Sequence, residues 1–217
     1  MIIAGIDDAG RGPVIGPLVI AGVAIPDESV EELRSIGVKD SKLLSPRSRA
    51  SLVNQIKNIV SNSTYVIVDP SEIDDVVLKG RKLERLNLLE AKYMAQVISE
   101  LKPQLAYVDA SDVIAERFGR TILDMVAFPV TVISEHHADR KYPIVSAASI
   151  LAKVRRDEVV ESLKAEYGEF GSGYVTDPAT MSFLRQWIRK HDNLPPVVRR
   201  SWKTIRELLQ EKNQGKL

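Results

Sequence analysis

The sequence predicts an α/β fold: a mixed five-stranded sheet flanked by helices and followed by a helical C-terminal segment. Three observations lead there. Apolar runs of strand length recur at residues 2–7, 14–25, 64–68, 104–109 and 128–134. The first two are joined by a short Gly/Pro turn, which suits antiparallel neighbours, and the later strands alternate with helices, which suits parallel strands with crossovers. After Gly168 the strand-like runs stop and helical patterns take over. With 217 residues and 44% apolar content, the chain can bury a substantial core as one large domain, or one domain with a small appendage. The change of character divides it into a core, residues 1–167, and a C-terminal loop and helical segment, residues 168–217.

Each element has a local reason. The strand at 2–7 ends in Asp7-Asp8, and Ala9-Gly10-Arg11-Gly12-Pro13 turns the chain into the second strand. Residues 27–36 read as a short charged helix. Ser45-Pro46 resembles an N-cap with proline at the first helical position, opening a helix to residue 60. The strand at 64–68 is closed by Asp69-Pro70. Leu86, Leu89, Tyr93, Val97 and Leu101 recur at helical spacing over residues 83–101. Strands at 104–109 and 128–134 precede a helix at 144–166 rich in small residues. Gly171-Ser172-Gly173-Tyr174 is a loop, and residues 178–190 and 202–210 are helical.

Composition excludes several classes. There are no cysteines, so disulfides, thiolate metal sites and a cysteine nucleophile are out. The net charge of +1 gives no global reason to expect a polyanion partner, although local patches can still steer one. The N-terminal run has no basic segment before it and does not read as a signal peptide. No apolar run reaches the roughly 18 residues a bilayer span requires. The expectation is a cytoplasmic protein without a membrane partner, and a monomer.

Carboxylates carry the chemistry. Ligand sites in open α/β sheets gather at the carboxyl ends of strands. Asp7 and Asp8 end the first strand, Asp109 ends the fourth, and Asp139 follows the fifth by a few residues. Any one of these has an ordinary reading as a solvated rim residue. Four converging on one sheet edge point instead to hard-oxygen coordination of Mg²⁺ or Mn²⁺. Two such ions suit phosphodiester hydrolysis. His136 and His137 are adjacent on a strand-like run and point apart, so they do not form a metal pair. Ser146, Ser149 and Lys153 share one side of a helix, a face that suits a phosphate or simply solvent. Basic residues in separate segments (Lys39, Lys42, Arg155, Arg156, Arg199, Arg200 and Lys203) could track a phosphate backbone. Tyr174 could stack on a sugar or base, or plug a packing gap.

Taken together, these segments resemble type 2 ribonuclease H (ribonuclease HII), closest to its archaeal branch. The resemblance is carried by Gly5-Ile6-Asp7-Asp8-Ala9-Gly10-Arg11-Gly12-Pro13 with Gly16-Pro17, by Lys39-Asp40-Ser41-Lys42 and by Tyr107-Val108-Asp109. It continues through Ala138-Asp139, Ala147-Ala148-Ser149, Ala152-Lys153, Gly171-Ser172-Gly173-Tyr174 and Arg200-Ser201-Trp202-Lys203-Thr204. It implies a ribonuclease H-like fold whose C-terminal segment completes a substrate groove. The activity it implies is endonucleolytic cleavage of RNA in RNA–DNA hybrids, and at single ribonucleotides in duplex DNA, leaving 3′-hydroxyl and 5′-phosphate ends. The catalytic, metal-binding carboxylates implied are Asp7, Asp8, Asp109 and Asp139, with two Mg²⁺ or Mn²⁺ ions. Gly10, Arg11 and Gly12 are implied to read the 2′-hydroxyl and Tyr174 to pack on the neighbouring sugar. Lys39, Lys42, Ser146, Ser149, Lys153, Arg200 and Lys203 are the further substrate-binding candidates.

Position 8 departs from the resemblance. The family carries glutamate there, and this chain has Asp8, one methylene and about 1.5 Å shorter. The expected result is a site that binds divalent metal but cleaves more slowly. Some archaeal members end in a sliding-clamp peptide with an aromatic anchor. Residues 210–217 hold no aromatic residue, so no clamp contact is expected there. Two other readings compete. A phosphotransferase or ATPase of the same superfold would need a second glycine-rich phosphate loop, and none follows Asp109 or Ser134. A non-catalytic hybrid-binding module would bind without turnover.

Overall fold

The computed structural model describes residues 1–38, 45–79 and 82–215. Its strands are β1 (Ile2–Ala9), β2 (Leu18–Pro26), β3 (Asn62–Val68), β4 (Leu105–Asp109) and β5 (Thr131–Glu135). They form one sheet in the order β3-β2-β1-β4-β5. β1 pairs antiparallel with β2 and parallel with β4, and β4 pairs parallel with β5. This is the mixed five-stranded sheet expected. The helices are α1 (Val30–Ser35), α2 (Pro46–Ile59), α3 (Pro70–Leu78), α4 (Lys82–Leu101), α5 (Ala115–Leu123), α6 (Ala138–Lys141), α7 (Pro143–Tyr167), α8 (Pro178–Lys190) and α9 (Lys203–Asn213). Among the described residues no helix is long and apolar enough to cross a membrane.

Caps place the helix starts. The Ser45 hydroxyl accepts the Ser48 N–H at 3.2 Å, with Pro46 opening α2. Asp177 accepts the Ala179 N–H at 2.9 Å, with Pro178 opening α8. Four elements differ from expectation. β2 starts at Leu18 rather than residue 14, because Gly16 has a φ of 94° and Pro17 has no N–H for the ladder. Asp69-Pro70 does not merely close β3. It is the N-cap and first residue of α3, the same signal that opens α2. α5 is the crossover between β4 and β5, left without bounds by the sequence pattern, and its Gly119 is small for a reason: a Cβ there would lie 2.9 Å from that of Ser134 on β5. β5 itself starts at Thr131, three residues later than the apolar run.

The chain forms two compact units, each built from separate stretches. The first comprises Met1–Ala9, Val19–Ile67 and Leu86–Arg155, and the second Gly10–Leu18, Val68–Arg85 and Arg156–Leu217. The boundary drawn after residue 167 falls inside the second unit.

In the first unit the central strand β1 has helices on both faces. A Cβ on Gly5 would strike the Ile144 and Val145 backbone of α7 at 2.3–2.5 Å. On the other face a Cβ on Gly22, paired with Ile6, would strike Val97 and Leu101 of α4. Two glycines therefore let the helices seat directly on the sheet. Alternation along β1 puts Ile3, Gly5 and Asp7 on the α7 face, and Ala4, Ile6 and Asp8 on the other. The α7-side core gathers Ile3, Val23, Ile25, Val145, Ala148 and Ala152, all buried.

Candidate active site

In the first unit the Asp7 and Asp109 carboxylates come within electrostatic reach of each other at the carboxyl ends of β1 and β4. Asp7 is 4% exposed. Burial, reinforced by the nearby Asp8 and Asp109 carboxylates, pushes it well above the usual carboxylate range, while the Ser149 hydroxyl and the Asp8 N–H work the other way. The Asp8 N–H donates to Asp7 Oδ1 at 2.7 Å. Asp109 lies on the same face as Asp7, because β4 pairs in register with β1, Tyr107 opposite Gly5. Asp109 Oδ1 accepts the Ala138 N–H at 2.8 Å, which fastens the start of α6 to the end of β4. Asp139 follows in that first turn and is buried, 6% exposed. Tyr107 and Tyr142 stack with ring centroids 4.2 Å apart, which seats the junction between α6 and α7 against β4.

Asp8 belongs to the opposite face. Its Oδ1 accepts the Ser111 hydroxyl at 3.4 Å. A shorter side chain therefore starts from the side of the strand away from Asp7. Among the described residues no three His, Asp or Glu side chains are gathered tightly enough to enclose a metal ion. The donor set is nonetheless hard oxygen throughout. A buried carboxylate raised by two like charges is also what a divalent cation relieves, so the residues fit such an ion.

The helix face expected to bind phosphate divides. Lys153 Nζ donates to Ser149 Oγ at 2.7 Å, and the Ser149 hydroxyl serves Asp7. An ammonium group has only protons to give, so the serine proton is directed to the carboxylate. Ser146 corrects the expectation. It is 1% exposed and its hydroxyl donates to the Val38 carbonyl oxygen, so it is a core tie rather than a phosphate contact.

The second unit holds the glycine-rich turn. Gly10 has a φ of 89°, and a Cβ there would lie 2.5 Å from the Pro17 oxygen and 2.7 Å from Arg156 Cδ, so this position requires glycine. Tyr174 is 38% exposed. Its Cε1 is 3.5 Å from where a Gly12 Cβ would sit, and the Arg156 guanidinium lies 5.3 Å from its ring centre. The loop carrying it is tied down: the Gly173 oxygen accepts the Val14 N–H at 2.8 Å and the Ile15 N–H at 3.2 Å. The Arg200 N–H donates to Asp74, and Lys203 pairs with Glu207 at 3.5 Å while staying open to solvent. Lys39 and Lys42 lie outside the described residues. His136 bonds the Val113 oxygen at 3.2 Å, and His137 takes a φ of 57°, so they serve the backbone of this bend.

Sequence reasoning missed Ser111, Asp74 and Trp202 and misread Arg199. Ser111 carried no local signal. Asp74 was discoverable through the Asp69-Pro70 cap, which announces the helix that bears it. Arg199 and Arg200 are indistinguishable in the sequence, yet Arg199 is completely buried.

The ribonuclease HII family profile matches residues 4–205. Ribonuclease HII of Pyrococcus furiosus is 49% identical over 210 residues, covering 96% of this chain and 91% of that protein. The crystal structure of the ribonuclease H2 from Pyrococcus horikoshii superposes with a TM-score of 0.91 at 44% identity, covering 99% of this chain and all of that one. The ribonuclease HII in a PCNA complex from Archaeoglobus fulgidus superposes at 0.82, also 44% identical, covering 95% of this chain and 96% of that one. With the family profile matching residues 4–205 and these relatives covering almost all of its length, the chain belongs to the ribonuclease HII family.

Proposed function

We propose that this protein is an endonuclease that hydrolyses the RNA strand of RNA–DNA hybrids and nicks duplex DNA at single embedded ribonucleotides. The observation that carries the chemistry is Asp7, buried against Asp8 and Asp109 where β1 and β4 end. Asp7, Asp109 and Asp139, with Asp8 reaching from the other face, are the residues to hold two Mg²⁺ or Mn²⁺ ions. Bound there, divalent ions supply the polarisation of phosphate and activation of water that phosphodiester hydrolysis needs.

The chain's own residues do the rest. Ser149, oriented by Lys153, holds the Asp7 carboxylate in place. Asp109 fixes the turn that carries Asp139. The turn Gly10-Arg11-Gly12 reads the 2′-hydroxyl, the group that separates RNA from DNA. Tyr174 supplies an aromatic surface for the adjoining sugar, and Arg200 and Lys203 meet phosphates. The products are a 3′-hydroxyl and a 5′-phosphate. Residues 210–217 carry no aromatic anchor, so no clamp contact is assigned to that segment.

A labelled duplex with one ribonucleotide, incubated with and without Mg²⁺ or Mn²⁺, tests the proposal. The expected outcome is one metal-dependent nick at the ribonucleotide, and none in the all-DNA duplex. Binding without a nick under every metal condition would overturn it in favour of a hybrid-binding module.

A further inference from the structure

Arg199 is among the largest completely buried side chains of the protein, and its guanidinium is occupied by backbone oxygens of the glycine-rich turn. Nη2 donates to the Gly10 oxygen at 2.6 Å, Nη1 to the Arg11 oxygen at 2.9 Å and Nε to the Gly16 oxygen at 3.0 Å. The Arg199 N–H donates to the Val14 oxygen at 2.9 Å. Behind it, the Asp74 carboxylate accepts the N–H groups of Arg200 at 2.7 Å and Ser201 at 2.9 Å. Asp74 therefore anchors the backbone that follows Arg199, while the guanidinium holds the turn.

Peptide planarity turns this into a statement about recognition. In a trans peptide the carbonyl and the following N–H point in opposite directions. Fixing the Gly10 carbonyl fixes the N–H of Arg11, and fixing the Arg11 carbonyl fixes the N–H of Gly12. Both N–H groups are aimed away from Arg199. The carbonyls of Gly12 and Gly16 precede Pro13 and Pro17, which have no N–H to aim. Trp202 Nε1 takes the Gly12 oxygen at 3.1 Å and completes the clamp without adding a donor. A cation on the carbonyl side also polarises each peptide and strengthens the N–H beyond it.

We infer that Arg199 is a positioning residue for ribose recognition: it aims the N–H groups of Arg11 and Gly12 at the 2′-hydroxyl. The inference rests on the proposed role of the turn. Lysine retains the charge but cannot present the guanidinium's planar fork to three carbonyls. The test is equilibrium binding, in EDTA so that no cleavage occurs, to two duplexes that differ by one 2′-hydroxyl. The wild-type chain is expected to prefer the ribonucleotide duplex. A folded Arg199→Lys variant should lose about tenfold of that preference with its affinity for the all-DNA duplex unchanged. A preference within about twofold of wild type, or equal weakening on both duplexes, overturns the role. Should Arg199→Lys fail to fold, Asp74→Asn loosens the segment behind the guanidinium while leaving the turn's own residues in place. A reduced preference there supports the role and an unchanged one overturns it. A wild-type chain with no preference at all overturns the reading of the turn itself, and so separates the two failures.

Discussion

Gly5→Ala tests whether the seat of α7 on β1 sets the catalytic geometry. The added methyl carbon would stand 2.3 Å from the carbonyl carbon and oxygen of Ile144 and 2.5 Å from the nitrogen of Val145. Ordinary van der Waals contact begins at 3.4 Å. Backbone atoms have no rotamer through which to escape, so α7 must retreat by about 1 Å. That helix carries Ser149, whose hydroxyl bonds Asp7 two residues further along the same strand face. Overpacking of this kind costs about 1–3 kcal/mol. For a chain of this size it lowers the melting temperature by roughly 2–4 °C per kcal/mol. A 1 Å displacement of positioned groups costs on the order of 100-fold in rate. The expected variant is therefore folded, less stable and slower by about two orders of magnitude. The assay is thermal unfolding beside single-turnover cleavage of a duplex with one ribonucleotide. A lowered melting temperature with cleavage within about threefold of wild type would refute the coupling.

Two further outcomes follow from the carboxylates. Asp7 has a raised folded-state pKa, so its contribution to stability is present at low pH and is lost as pH rises and the buried group ionises. In EDTA, Asp7→Asn should melt above wild type at pH 7, converge with it below about pH 4, and fail to cleave in metal; a lower melting temperature at pH 7 would show that the buried charge is not costly. Asp8→Glu adds about 1.5 Å of reach from the far face of β1. Single-turnover cleavage should become faster, and equal rates in both Mg²⁺ and Mn²⁺ would sink that account.

Most of the fold was legible because its signals are local. Asp7 and Asp109 closing apolar runs located the carboxyl edge of the sheet. Ser45-Pro46 located α2. Where legibility failed, the deciding contact was distant in sequence. Gly119 looks like a break until Ser134 is seen against it. Ser146 shares a helical side with Ser149, yet the carbonyl of Val38 claims its hydroxyl. Arg199 and Arg200 are neighbours of one type, and only the oxygens of Gly10, Arg11 and Gly16 make one of them structural. Asp7 and Asp8 read in the sequence as one pair of a converging set, and strand alternation instead sends them to opposite faces of β1.

The interleaving of the two units bears on how the chain can be dissected or inherited. Six stretches alternate between them, so the backbone passes from one to the other five times. No single cut releases either unit as a continuous fragment. A fragment ending at residue 167 would keep Val14, Gly16 and Asp74 but strip them of Gly173, Val197 and Ser201, their hydrogen-bond partners. The glycine-rich turn and the C-terminal segment bonded to it therefore stay intact only when both are present in the chain. A graft of the carboxylate-bearing sheet alone would leave behind the glycine-rich turn that follows β1 in the sequence.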